Sequence, residues 1–264
     1  MKRELMRALV TGGAKRLGKE MALFLAERGF EVAIHYHSSK KSADELVEYI
    51  KTNFGKNSVA LSADLTKEAE VQGLVGRANE KLGGPISCLI NNASIFEYDN
   101  IWTANRDSWD RHIESNLRSP LVLTQSFAKQ VPSAKNDENS EPLAQGLIIN
   151  LIDQRVKKLT PEFTSYTIAK MGLWALTQTS AQALAPNVRV NAIGPGPTLK
   201  GARQSEEHFE SQRKNTVLGR GSDPSEIVSA VGYLLDAKSV TGQLICVDGG
   251  QHLAWQTPDV LGVE

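Results

Sequence analysis

Seven short apolar runs recur along the chain, at residues 8–11, 32–36, 58–62, 88–91, 147–152, 188–193 and 244–247. Segments with helical spacing lie between them, at about 17–28, 42–53, 67–81, 107–129, 164–185 and 224–235. Several of the runs are apolar at every position, as strands covered on both faces must be. Strand and helix in alternation predict a parallel sheet with helices on both faces. The expected fold is α/β, a doubly wound, Rossmann-type parallel sheet of about seven strands. Ligands of such sheets bind beyond the carboxyl ends of the strands. No repeat of 20–50 residues interrupts the pattern, and residues 1–264 read as a single domain.

Thirty Lys and Arg balance thirty Asp and Glu. Bulk charge therefore draws the chain neither to nucleic acid nor to an anionic membrane. The apolar runs are far shorter than the ~18–20 residues of a membrane span. The opening Met1-Lys2-Arg3-Glu4 has no apolar signal core behind it, so the expected location is the cytoplasm. Cys88 and Cys246 each sit in a strand run and are expected to be buried and unpaired, which fits a reducing compartment. No Cys/His spacing suggests a metal. Residues 133–142 are polar and aperiodic and read as a solvated surface loop. Residues 194–206 open Gly194-Pro195-Gly196-Pro197, directly after a buried strand, and read as a lid over a ligand. The tail, residues 251–264, is longer than the last strand requires.

The first run leads into Thr11-Gly12-Gly13-Ala14-Lys15-Arg16-Leu17-Gly18 and then a helix. Backbone amides at a helix N-terminus attract a pyrophosphate, and glycines let the chain approach it closely. This points to a dinucleotide site. The second strand ends His35-Tyr36-His37-Ser38-Ser39-Lys40-Lys41, with no carboxylate between Glu31 and Asp44. An acid there would hold a ribose 2′-hydroxyl. Arg16, with His37 and Ser38 opposite, suits a 2′-phosphate instead, so NADP(H) is the expected cofactor. Lys40 and Lys41 read equally well as a solvated basic turn.

Tyr166 and Lys170 open a later helix, four residues apart and on one face. An ammonium near a phenol lowers its pKa and makes it a usable proton donor.

With these residues in place, the sequence resembles the short-chain dehydrogenase/reductase family over nearly its whole length. The resemblance is carried by Thr11-Gly12 with Gly18, Asp64-Leu65, Asn91-Asn92-Ala93, Asn116, Tyr166 with Lys170, Pro195-Gly196, Val240-Thr241-Gly242-Gln243 and Val247-Asp248-Gly249-Gly250. It implies that Tyr166 is the proton donor, that Lys170 binds the nicotinamide ribose and that Asn116 helps hold a relay water. It also implies that Thr11, Gly12, Leu17, Gly18, Asp64, Leu65, Asn91, Ala93, Pro195 and Gly196 contact the cofactor. Asn191 matches too, but reads better as an anchor for the loop that follows it. Two departures narrow the likeness. Arg16 replaces the middle glycine of the first turn, and Asp153 stands thirteen positions before Tyr166, where the family has serine. With His35-Tyr36-His37-Ser38 and Asn91-Asn92-Ala93-Ser94-Ile95-Phe96 they resemble the pteridine-reductase branch, in which an aromatic ring stacks on the pterin. That branch often has a cation where Ser38 stands.

The resemblance implies a reductase of a small flat heterocycle, a dihydropterin or a dihydrofolate-like ring, with Asp153, Tyr166, Ser94 and Phe96 on the substrate side. The alternative is a carbonyl reductase such as a 3-oxoacyl-[acyl-carrier-protein] reductase. A homotetramer is the family's common assembly.

Overall fold

In the computed structural model, which describes residues 6–201 and 204–256, every strand run of the sequence becomes a strand of one sheet. β1 (Arg7–Val10) leads to α1 (Arg16–Glu27), β2 (Glu31–Tyr36) to α2 (Lys40–Phe54), and β3 (Ser58–Ser62) to α3 (Glu68–Gln72) and α4 (Leu74–Leu82). β4 (Cys88–Asn91) is followed by α5 (Arg106–Ile113) and α6 (Ser119–Gln130). A short antiparallel hairpin, β5 (Lys135–Asn136) with β6 (Pro142–Leu143), precedes β7 (Gly146–Leu151). Then come α7 (Thr164–Leu184), β8 (Val188–Pro195), α8 (Glu206–Lys214), α9 (Pro224–Asp236) and β9 (Leu244–Val247).

The seven-stranded sheet has the order β3-β2-β1-β4-β7-β8-β9 and is parallel throughout. Strand alternation divides the core into two layers. Ala8 and Val10 face Met21 and Leu25 of α1 and Ile227 and Val231 of α9. Leu9, between them, faces Leu74 and Val75 of α4 and Leu123 and Phe127 of α6. Each fully buried Leu, Ile or Phe side chain stabilises the fold by about 1.5–3 kcal/mol, which is why both faces of the sheet demand apolar residues. β1 pairs with β2 on one side and with β4 on the other. The connections diverge there, and a crevice opens at the carboxyl ends of β1 and β4.

Four local readings need correction. The helix expected over 67–81 is broken at Gly73, which ends α3. Glycine in a helix interior costs about 1 kcal/mol relative to alanine, so a break there is inexpensive. The helix expected over 107–129 contains one wide turn, Glu114–Arg118, between α5 and α6. Pro120 has no N–H to give to the carbonyl of Asn116, so the regular ladder cannot run through. α8 falls in a region without apolar spacing, and none of its residues is buried. Its start is set by Ser205, whose hydroxyl accepts from the N–H of His208 at 3.2 Å. Cys88 is buried and Cys246 only partly so; neither is in a disulfide. Trp102 is 89% exposed. No helix of the described residues is long and apolar enough to cross a membrane. Residues 1–5, 202–203 and 257–264 lie outside the described residues, and with them most of the N-terminal segment, part of the lid and the end of the tail.

Candidate active site

The glycine turn is held by buried polar groups that periodicity does not reveal. The N–H of Gly12 donates to Nδ1 of His35 at 3.0 Å, and Nε2 of the same ring bonds the carbonyl of Ala63 at 3.0 Å. Burial brings the His35 imidazole down to about 4. It is neutral at physiological pH and can accept from Gly12. Asn92 Nδ2 donates to the carbonyl of Thr11 at 2.8 Å. Thr11 Oγ1 accepts from the N–H groups of Asn92 and Ala93, at 2.9 and 3.0 Å. The Thr11 side chain therefore ties β1 to the chain after β4 and does not face the crevice.

Gly12 has φ +61°. A Cβ on Gly18 would lie 2.1 Å from the carbonyl oxygen of Gly12, so no larger residue fits there. Arg16 also adopts the left-handed region, at φ +52°, which explains why a glycine would serve at this position. Its guanidinium donates to the carbonyls of Leu199 and Lys200, at 3.1 and 2.9 Å. The residue read as a phosphate ligand thus also straps the segment after β8. The first turn of α1 holds no acid, so its N–H groups present an uncompensated positive end.

A cleft of about 490 Å³ lies above this turn. Its lining includes Gly12, Arg16, Leu17, Gly18, His37, Asp64, Leu65, Ala93, Ser94, Pro195 and Gly196, together with Lys15, Thr66, Ser115 and Thr198. Its glycine cradle and the free N-terminal end of α1 fit a dinucleotide. Ser38 is exposed and is not part of the wall. Asn91 points into the sheet, where its Nδ2 donates to Asn150 Oδ1 at 2.8 Å. The expected anchor Asn191 donates to the carbonyl of Val240 at 2.8 Å and accepts from the N–H of Gln243 at 3.0 Å.

The second cluster lies at the ends of β7 and α7. Tyr166 Oη donates to Asp153 Oδ2 at 3.0 Å, and Asp153 Oδ1 accepts from the N–H of Arg155 at 2.8 Å. Lys170 Nζ, almost fully buried, donates to the carbonyl of Leu151 at 2.8 Å and stands 5.7 Å from the centre of the Tyr166 ring. The expectation of a lowered tyrosine pKa is overturned on balance, because the Lys170 charge is outweighed. Burial first, then the Asp153 carboxylate, hold the phenol well above its ordinary value, while Arg155 and the Ser94 hydroxyl pull the other way. Burial also pushes Asp153 up, against the N–H and charge of Arg155, and brings Lys170 down to about 8.

Asn116 sits in the wide turn. Its Oδ1 accepts from the N–H of Ile95 at 2.9 Å and its Nδ2 donates to the Ile95 carbonyl at 2.8 Å. The side chain is thereby committed to the segment that carries Ser94 and Phe96, and Pro120 leaves its main-chain carbonyl without the usual helical donor. Phe96 is 45% exposed, stacks on Phe163 at 4.4 Å and stands edge-on to Tyr166 at 4.7 Å. It is a half-exposed residue, not a core one. Phe163, which sequence reasoning passed over, adopts φ +60°, an uncommon conformation for a bulky residue.

A family model described as enoyl-(acyl carrier protein) reductase matches residues 12–252. The 3-oxoacyl-[acyl-carrier-protein] reductase FabG of Staphylococcus epidermidis is 31% identical over 251 residues, covering 93% of this chain and 98% of that protein. Among solved structures, FolM alternative dihydrofolate reductase 1 from Brucella suis, in complex with NADP, is 44% identical with a TM-score of 0.89. The Brucella canis protein of the same name, complexed with NADP, is 42% identical with a TM-score of 0.87. Each match covers 97% of this chain and 98% of the other.

Proposed function

The chain belongs to the short-chain dehydrogenase/reductase family, and from that membership we propose that it is an NADPH-dependent reductase that transfers a hydride to a pterin, a dihydropterin or dihydrofolate-like ring. The observation that carries the reading is the hydrogen bond from Tyr166 to Asp153. It puts a carboxyl where a carbonyl reductase needs a neutral donor. Solved structures more than 40% identical to this chain bear the name alternative dihydrofolate reductase and hold NADP. The 31% likeness to a 3-oxoacyl-[acyl-carrier-protein] reductase supports the family and keeps carbonyl reduction as the second reading. Residues 1–264 act as one catalytic domain, and neutral charge with two unpaired cysteines favours the cytoplasm.

NADPH supplies the hydride when bound. The Gly12–Gly18 turn and the first turn of α1 hold its pyrophosphate. Asp64, Leu65, Ala93, Pro195 and Gly196 would enclose the rest, and Arg16 with His37 would hold the 2′-phosphate. Tyr166 keeps its proton on Oη until a ring nitrogen takes it. Lys170 supplies the positive charge that steadies the phenolate left behind. Asp153 accepts from N–H groups of the substrate and orients Tyr166. Ser94 and Phe96 border the ring.

Cofactor choice tests the role of Arg16. Arg16→Ala is expected to weaken NADPH about tenfold or more and NADH by less than about twofold, the scale of one charge-assisted bond. Titration by cofactor fluorescence reads both. Equal losses would reduce Arg16 to a strap on Leu199 and Lys200.

The assembly belongs to the same reading. α7 exposes Ile168 and Met171, and with α5 and α6 it forms the face on which a homotetramer is built. Light scattering at micromolar concentration is expected to give four times the chain mass, and a monomer would refute it.

A further inference from the structure

Behind Tyr166 lies a set of buried polar groups that the chemistry above does not use. His112 on α5 and Ser165 at the start of α7 are fully buried, and Asp99, between β4 and α5, is nearly so. His112 Nε2 accepts from the N–H of Glu97 at 3.1 Å. The single proton of the neutral ring therefore sits on Nδ1 and is given to Ser165 Oγ, 2.7 Å away. The Ser165 hydroxyl donates in turn to Asp99 through a short bond. The Asp99 carboxylate also accepts from the N–H of Ser165 at 3.1 Å and from the Ser108 hydroxyl at 2.9 Å. Its main-chain carbonyl accepts from the N–H of Phe163 at 2.7 Å. The three residue types match a hydrolytic triad, but the order does not. Serine stands in the middle, gives its proton to the carboxylate and is sealed from solvent.

The placement suits a different task. The His112 ring stands edge-on to the Tyr166 ring, with centres 6.0 Å apart. The main chain it grips at Glu97 follows Phe96, whose ring is the other edge-on neighbour of Tyr166. We propose that His112, as the neutral Nδ1–H ring, is a positioning residue for Tyr166, locking the first turn of α7 against the Phe96 segment. The inference rests on the reading of Tyr166 as proton donor.

The charged groups facing the ring are Asp99 and Glu97 from the segment before α5, and Arg111 beside it on α5. Arg111 is itself paired with Glu97, at 3.0 and 2.8 Å. α7 presents Ser165 and Tyr166. Burial outweighs both carboxylates and holds the imidazole below its ordinary 6.5. A protonated ring would meet the N–H of Glu97 donor to donor. Because the folded pKa is depressed, the grip is complete above about 6.5 and is lost as the pH falls through the folded value.

The test joins a spectrum to kinetics. In ¹⁵N-histidine-labelled protein without cofactor, the resonance missing from His112→Gln is expected to report a neutral Nδ1–H ring at about pH 7. Turnover of a dihydropterin by the wild type is expected to fall with acid below about pH 6.5. His112→Phe is expected to lower kcat about tenfold or more with NADPH affinity within about twofold. His112→Gln, whose amide offers one acceptor and one donor and does not titrate, is expected to recover turnover relative to His112→Phe and to flatten the acid limb. A wild type inactive on every dihydropterin would sink the functional reading and this role with it. An active wild type with an Nε2–H ring, or an acid limb unchanged in His112→Gln, would sink the positioning role alone.

Discussion

Tyr166→Phe is expected to lower turnover by about 10²-fold or more while NADPH affinity stays within about twofold. The two rings fill the same space. Tyr166 is 5% exposed and packs edge-on to Phe96 and His112, so phenylalanine keeps those contacts and loses only Oη with its bond to Asp153. Burial and the neighbouring carboxylate hold the phenol's proton well above the ordinary range. At neutral pH the group is therefore a neutral phenol that holds its proton and is able to donate it. Giving it up leaves a phenolate in a dry site, which is costly without a counter-charge. Lys170 is that charge. Its ammonium persists below about pH 8, to which burial has lowered it, and is lost above. Wild-type turnover should decline as the pH rises through that value, and the residual activity of Tyr166→Phe should not. Steady-state NADPH oxidation and cofactor fluorescence measure both. Wild-type-like turnover in the variant would remove Tyr166 from the chemistry.

How much of this was legible beforehand depended on the kind of signal. The sheet was, because burial on two faces forces runs such as Cys88, Leu89 and Ile90 or Leu147, Ile148 and Ile149 to be apolar, and the glycine turn was, because Gly18 has no room for a Cβ. Helix continuity was not. Gly73 and Pro120 act on single hydrogen bonds, which a periodicity averaged over several turns does not register. Site electrostatics was the least legible. Spacing places Lys170 one turn from Tyr166, but the sign of the tyrosine's shift depends on how dry the site is and on Asp153, thirteen positions back and brought in by β7. His35 stands in a motif of the resemblance and His112 in none, and the gripping role of either emerges only when the fold supplies its partners. Pro120 did leave a trace in the sequence. A proline four residues after Asn116 frees the asparagine's carbonyl, a signal that local reasoning can use.

Asp153→Ser is expected to lower kcat/KM on a dihydropterin by about 10²-fold or more, the scale of removing one preorganised group at the reacting centre. The substitution separates chemistry from folding. Asp153 caps the short helical turn that follows β7 by accepting from the N–H of Arg155. Serine is an equally good cap, so the local backbone should survive. What serine cannot supply is a carboxyl. An ionised aspartate accepts hydrogen bonds and repels the negative charge that builds on a carbonyl oxygen, so it disfavours reduction of a ketone or thioester. The same oxygens suit the N–H groups of a pterin ring. Burial raises the Asp153 pKa despite Arg155, Tyr166 and Lys170, but one hydride and one proton complete the reduction of a C=N bond, so the proton comes from Tyr166 and Asp153 serves as acceptor and orienter. Wild type and variant should be compared on a dihydropterin and on a 3-oxoacyl thioester, following NADPH oxidation in each case. The wild type is expected to turn over the pterin and leave the thioester nearly untouched. The variant should lose the pterin activity and, with a hydroxyl donor restored, gain on the thioester. Brisk reduction of the thioester by the wild type, with none of the pterin, would transfer the protein to the carbonyl reading and leave Asp153 as a cap alone.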